Sequence, residues 1–278
     1  MKHKLEHIEL MVINSCQLAC KACATFSDLK HSGYVTWEQG KEQLLPWIER
    51  IDLECVGIMG GEPLMNPELT QWLVGLRKLL PNTQIRLPTN GLLLHKHMDL
   101  VDLMNDIGNC ILKISYHVDN TTLRRIVKQI INSYDFRPVT EYGINRWSTP
   151  NNFKFQINNP TTFLQSFKND YTNMAPHDSN PKDAFNICVC QRCAFLHDNK
   201  LFKCSIAGLT PELHRRFHEP NKEEWTPYLN TGLSVDCSES ALESFVRNFG
   251  NPHAMCRQCP TEKDTASLIN HKKTVEFK

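Results

Sequence analysis

Along the first half of the chain, short apolar runs alternate with longer segments whose apolar residues recur every three or four positions. Ile8-Glu9-Leu10-Met11-Val12-Ile13 predicts a strand. Thr36, with Gln39 three residues on, reads as a capping box opening a helix to about Ile51, with Leu44, Leu45, Trp47 and Ile48 on one face. Cys55-Val56-Gly57-Ile58-Met59 predicts a second strand, stopped by Gly60-Gly61-Glu62-Pro63. Leu69, Trp72, Leu73, Leu76 and Leu80 then repeat at helical spacing until Pro81. A third strand falls on Gln84 to Leu87, with Thr89-Asn90-Gly91 as the turn after it, and a helix follows from about Met98 to Ile107. A fourth strand spans Cys110 to Tyr116 and a fourth helix Thr121 to Tyr134. Weaker strand patterns lie near Val139 to Ile144 and Phe153 to Ile157, and from about Phe185 helical periodicity fades.

Strands alternating with helices imply a parallel sheet with right-handed crossovers, whose ligands sit at the C-terminal ends of the strands. The loop after the first strand, Gly60-Gly61-Glu62-Pro63, Thr89-Asn90-Gly91 and Ser115 all fall at that rim. The predicted fold class is α/β, with a boundary near Pro181 separating residues 1–180 from a smaller C-terminal region, 181–278.

Composition adds little to this and excludes more. The 278 residues are 41% apolar and 22% charged, enough for a buried core. A formal net charge of +1 argues against nucleic acid or an anionic membrane as partner. The three lysines between His271 and Lys278 read as a solvated terminus. No stretch approaches the roughly 18 apolar residues of a membrane span. The charged start, Met1 to His7, lacks the apolar segment of a signal peptide, so a cytoplasmic protein is expected.

In a reducing compartment, clustered cysteines read as metal ligands rather than disulfides. Of 12 cysteines, Cys16, Cys20 and Cys23 form one group, Cys188, Cys190, Cys193 and Cys204 a second, and Cys256 and Cys259 a third. Cys55 and Cys110 read as small buried strand residues, and Cys237 stands apart. Three thiolates on one tight loop can hold three irons of a four-iron cluster and leave the fourth iron open. The same spacing also suits a zinc site completed by a distant cysteine or histidine.

Cys16-Gln17-Leu18-Ala19-Cys20-Lys21-Ala22-Cys23, Gly60-Gly61-Glu62-Pro63 and Thr89-Asn90-Gly91 together resemble the radical S-adenosylmethionine superfamily over roughly Ile8 to Asn120. The resemblance implies a partial (β/α)6 barrel. It also implies a four-iron cluster held by Cys16, Cys20 and Cys23, and S-adenosylmethionine bound to the open iron. Gly60, Gly61 and Glu62 would contact the methionyl amine, Pro63, Thr89 and Asn90 would complete that rim, and Ser115 would contact the ribose. Ala22 departs from the aromatic that many members carry before the third cysteine. Cys193 to Cys204, followed by Cys256-Arg257-Gln258-Cys259, resembles the twitch form of the SPASM domain, a small C-terminal domain binding an auxiliary four-iron cluster. On that resemblance the ligands are Cys193, Cys204, Cys256 and Cys259, with Cys190 and Cys188 as rivals for the first position. Asn199 stands where the family usually has glycine, and asparagine tolerates the left-handed turn required.

The implied reaction is reductive cleavage of S-adenosylmethionine to methionine and a 5′-deoxyadenosyl radical, which abstracts hydrogen from substrate. The family implies a flavodoxin or ferredoxin donor and, as substrate, a peptide, a sugar or another small molecule. Few residues precede Ile8, which disfavours a leader-binding domain within the chain. Two alternatives stand beside this reading: a peptide-modifying maturase with a separate leader-binding partner, and a non-catalytic zinc-stabilised binding module. Among the histidines, His117 shares a strand face with Ser115 and is expected nearest the substrate, with His95 and His97 in a loop near the rim. His214 and His218 read as a surface helix, and Trp147, Phe153 and Phe155 as core.

Overall fold

The computed structural model describes residues 2–139, 145–160, 162–217, 222–262 and 266–267. Part of the predicted strand at Val139 to Ile144, His218 and the lysine-bearing tail lie outside them. Four β/α units open the chain: β1 (His3–Ile13), α1 (Trp37–Ile48), β2 (Ile51–Gly60), α2 (Leu69–Leu79), β3 (Gln84–Thr89), α3 (Met98–Ile107), β4 (Cys110–Ser115) and α4 (Thr121–Ser133). Short strands β5 (Arg137–Pro138), β6 (Arg146–Ser148), β7 (Lys154–Asn158) and β8 (Thr162–Phe163) follow. The remainder holds α5 (Pro181–Ile187), β9 (Ala194–His197), β10 (Lys200–Phe202), α6 (Ser205–Phe217), α7 (Lys222–Trp225), β11 (Leu233–Ser234), α8 (Glu239–Arg247) and β12 (Ala266–Ser267).

One ten-stranded sheet runs in the order β11-β10-β9-β1-β2-β3-β4-β7-β6-β5. Its central members, from β9 through β1, β2, β3 and β4 to β7, are parallel. The result is a mixed α/β fold with a large parallel sheet, and among the described residues no pairing closes it into a barrel. β9 pairs with β1, Ile8 opposite Ala194 and Leu10 opposite Leu196, so the sheet runs on past the predicted boundary.

The helices form where the pattern placed them. Thr36 accepts from the Gln39 amide and Gln39 returns a bond to the Thr36 amide, so the capping box opens α1. The helix stops at Ile48 rather than Ile51, because Ile51 already belongs to β2. α1 and α2 pack through reciprocal notches: a Cβ on Gly40 would lie 1.8 Å from the Trp72 ring, and one on Gly75 2.2 Å from the Trp37 ring. Phe153 and Phe155 are fully buried, as is Cys110, while Cys55 is partly exposed on β2. The fading periodicity after Phe185 is corrected by α6 and α8. In α6 the buried Ile206, Leu209 and Leu213 keep helical spacing, masked by Pro211 and by small neighbours. Asp198 and Asn199 both adopt left-handed φ, +47° and +59°, and turn the β9–β10 hairpin.

Candidate functional site

β1, β2, β3 and β4 all deliver their C-terminal ends to one rim, where a cavity of about 150 Å³ opens. Cys16, Cys20 and Cys23 line it from the loop after β1. Gly60, Gly61, Glu62 and Pro63 line it from the end of β2, and Thr89 and Asn90 from the end of β3. Ser115 at the end of β4 and His117 just beyond it also line it, with Phe163 of β8 beside His117 at 5.5 Å between ring centroids. His95 and His97 lie outside its lining.

The rim is bolted together by its own motifs. Glu62 is 1% exposed. Its Oε1 accepts from Thr89 Oγ1 at 2.5 Å and from the Leu64 amide at 3.0 Å, and Oε2 accepts from the Asn90 amide at 2.8 Å. Burial pushes the carboxyl pKa up, and these three bonds oppose the shift. Glu62 thus ties the end of β2 to the end of β3, a role the sequence reading missed. Asn90 Oδ1 accepts from Gln17 Nε2 at 3.0 Å, and Asn90 Nδ2 points to Cys16 Sγ at 3.9 Å. The two glycines have a similar internal cause. A Cβ on Gly61 would lie 2.1 Å from the Ser15 carbonyl oxygen, and one on Gly60 2.2 Å from that of Ile13. They let β2 close on the chain as it leaves β1, with the Gly61 and Glu62 amides donating to Ile13 and Ser15.

The cysteine loop turns through left-handed residues at Ala22, Phe26 and Lys30. Lys30 Nζ donates to the Leu18 carbonyl, and the Cys23 thiol meets Thr25 Oγ1 at 3.2 Å. Burial pushes the Cys16 thiol up to about 11 and Cys20 up to about 12.

A second thiol group gathers at the far edge of the sheet. Cys204, Cys256, Cys259 and Cys188 lie within electrostatic reach of one another. Burial pushes Cys204 up to about 12 and also raises Cys259 well above the ordinary thiol value. Cys193, expected to complete this set, instead faces His7 and Glu9 of β1. The reason is its place beside the first residue of β9: pairing of Ala194 with Ile8 fixes Cys193 over β1, while Cys188 follows the end of α5. Cys190 lies between Cys188 and Cys193.

The spread of both groups bears on the metal. Among the described residues, one group of three or more histidine, cysteine or carboxylate donors lies within 4.8 Å of one another, and it is His7, Glu9 and Cys193. Tetrahedral zinc draws its thiolates to about 3.8 Å apart, given Zn–S of about 2.3 Å. Neither cysteine group brings three of its thiols within 4.8 Å of one another. A four-iron cluster, which takes each thiolate on a different iron, is compatible with such spacing.

Residues 10–141 match the model of the Radical SAM superfamily. That stretch contains all the cavity-lining residues except Phe163. No curated protein matches the chain significantly. Among solved structures, BtrN in complex with AdoMet and 2-DOIA aligns over 97% of this chain and 100% of its own, at 13% identity and TM-score 0.49. BtrN in an open conformation aligns over 95% and 99%, at 13% identity and TM-score 0.41. Among the described residues, no helix is long and apolar enough to cross a membrane.

Sequence reasoning also passed over the polar face of the sheet below the rim. His7 and Glu9 alternate with Ile8, Leu10 and Val12, which pack into the main core, and so face the other side. Arg86 of β3 and Lys113 of β4 come near Glu9 there. Burial pushes the Glu9 carboxyl up to about 7 and brings the Lys113 ammonium down to about 8. The available signal was two ionisable residues at period two inside an otherwise apolar strand.

Proposed function

We propose that the protein is a radical S-adenosylmethionine enzyme that generates a 5′-deoxyadenosyl radical and removes hydrogen from a small-molecule, sugar or peptide substrate. One observation carries the reading: three thiols, with no fourth cysteine among the lining residues, share a single cavity with the ends of β2, β3 and β4. Cys16, Cys20 and Cys23 would hold a four-iron cluster, which when bound would supply the electron for cleavage of the sulfonium. The chain's residues position and enclose. The Gly60–Gly61 edge offers backbone at the cavity wall, and Glu62 holds that edge against Thr89 and Asn90 while keeping one further acceptor direction on Oε2. Ser115 and His117 offer polar groups to the ribose and substrate side, and Phe163 covers them from β8.

Cys188, Cys204, Cys256 and Cys259 hold an auxiliary four-iron cluster in this reading, with Cys188 taking the place first assigned to Cys193. A flavodoxin or ferredoxin supplies the electron. The test is anaerobic reconstitution with iron and sulfide, then S-adenosylmethionine and strong reductant, reading 5′-deoxyadenosine by chromatography. Slow release without substrate is expected. An intact, reducible cluster on the first loop that neither binds S-adenosylmethionine nor yields 5′-deoxyadenosine overturns the proposal.

A further inference from the structure

His7, Glu9 and Cys193 are brought together by pairing rather than by sequence. His7 and Glu9 sit two apart on β1, and Cys193 enters from the residue before β9. One ring nitrogen of His7, a carboxylate oxygen of Glu9 and the Cys193 thiol lie within 4.8 Å of one another. His7 is 7% exposed, and its Nε2 is buried without a normal hydrogen bond, although the thiols of Cys193 and Cys55 approach the ring. Cys55 is the direct β2 neighbour of His7 in the sheet. Space for the cluster comes from Gly57: a Cβ there would lie 2.9 Å from His7 Nε2 and 3.3 Å from Glu9 Cγ.

We infer that these side chains form a separate binding site for a single divalent transition metal of the zinc type, with His7, Glu9 and Cys193 as ligands and Cys55 as the fourth. The donor set mixes imidazole, carboxylate and thiolate, which zinc accepts together in tetrahedral geometry. Zinc ligands sit about 3.3–3.8 Å from one another, from metal–ligand lengths of about 2.0–2.3 Å, so His7, Glu9 and Cys193 need to contract only slightly, while Cys55, outside that group but against the His7 ring, has to swing in. This separates it from the two wider cysteine groups. Charge is consistent as well. Arg86 and Lys113 stand near Glu9. With Glu9, Cys193 and Cys55 all anionic and His7 neutral, a bound dication leaves one net negative charge, which Arg86 and Lys113 face. Because a thiol or a protonated imidazole must give up its proton to bind metal, uptake by Cys55 and His7 releases protons to solvent. The site lies below the rim on the face that Glu9 shares with Met11, so its metal holds β1, β2 and β9 in register.

The inference is independent of the proposed catalysis, and its readout is zinc rather than 5′-deoxyadenosine. The full-length protein, reconstituted with iron and sulfide, is incubated with zinc chloride, dialysed against EDTA and analysed by mass spectrometry for zinc and iron. About one zinc per chain is expected to remain. Cys193→Ser should lower retained zinc at least tenfold and leave iron unchanged. His7→Gln, which keeps a polar side chain of similar size, should do the same and guards against a folding defect in the first variant, with circular dichroism as the check. Cys188→Ser should retain the zinc. Folded wild-type protein retaining less than about a tenth of an equivalent overturns the site. So does zinc that survives both Cys193→Ser and His7→Gln, or that leaves with Cys188→Ser, since the metal then occupies the four-thiol group.

Discussion

The two cysteine groups come together by opposite routes. Cys16, Cys20 and Cys23 come from one loop, and the strands around them only frame it. Cys188, Cys204, Cys256 and Cys259 come from three places: the residue after α5, the residue before α6, and a single-turn helix at Ala254–Gln258 with the residue following it. Local spacing builds the first group, whereas tertiary packing builds the second. The difference teaches where motif reading is safe. Spacing within one loop constrains geometry directly, but spacing across three elements leaves the choice among Cys188, Cys190 and Cys193 to strand pairing.

The contrast can be broken by substitution. Cys20→Ala should abolish 5′-deoxyadenosine formation and cut iron from about eight to about four per chain, the auxiliary group surviving because it shares no ligand with the loop. Loss of all iron in that variant would show the groups to be interdependent. Cys188→Ala should likewise leave about four irons, while Cys193→Ala should keep about eight, read by colorimetric iron and sulfide analysis. The reverse pattern would return Cys193 to the auxiliary set and remove it from His7 and Glu9.

Smaller effects sharpen the account of the rim. Glu62→Ala leaves the Thr89 hydroxyl and the Asn90 and Leu64 amides without their buried acceptor, and should cost about 2–4 kcal/mol in urea unfolding of the apoprotein. It should also weaken S-adenosylmethionine binding in a titration while the iron content holds. Gly61→Ala drives a methyl into the Ser15 carbonyl and should cost about 1–3 kcal/mol. Thr36→Ala, far from either thiol group, removes one cap of α1 and should shift the same unfolding curve by only about 1 kcal/mol, with cleavage unchanged.

Much of the first half was legible because its elements obey local rules. α3 occupies the residues its periodicity marked, the capping box at Thr36 and Gln39 opens α1, and Asn199 takes the left-handed turn expected of it. Every residue proposed for the first cavity lines it, from Cys16 to Ser115. Roles were harder to read than positions. The resemblance gives Gly60 and Gly61 a contact with the methionyl amine, and the structure adds an internal role, close packing on the protein's own backbone at Ile13 and Ser15. The same resemblance gives Glu62 that contact, and the structure adds three internal bonds to its carboxylate. The site of Cys193 was illegible for another reason: no local pattern states that β9 lies parallel to β1, and that pairing alone carries it to His7. α6 was hidden by Pro211 and by Ala207 and Gly208, which weaken an apolar repeat without removing it.

The pairing of β9 with β1 also sets an order of events during synthesis. β1 is made long before β9, so its second hydrogen-bonded neighbour does not exist until residue 196 has left the ribosome. Until then the strand that carries His7 and Glu9 keeps one open edge, the kind of surface that invites pairing with another chain. Contacts this distant in sequence close slowly. The nascent protein therefore passes through an interval in which Cys16, Cys20 and Cys23 are all present while the sheet is unfinished and Cys256 and Cys259 have yet to be made.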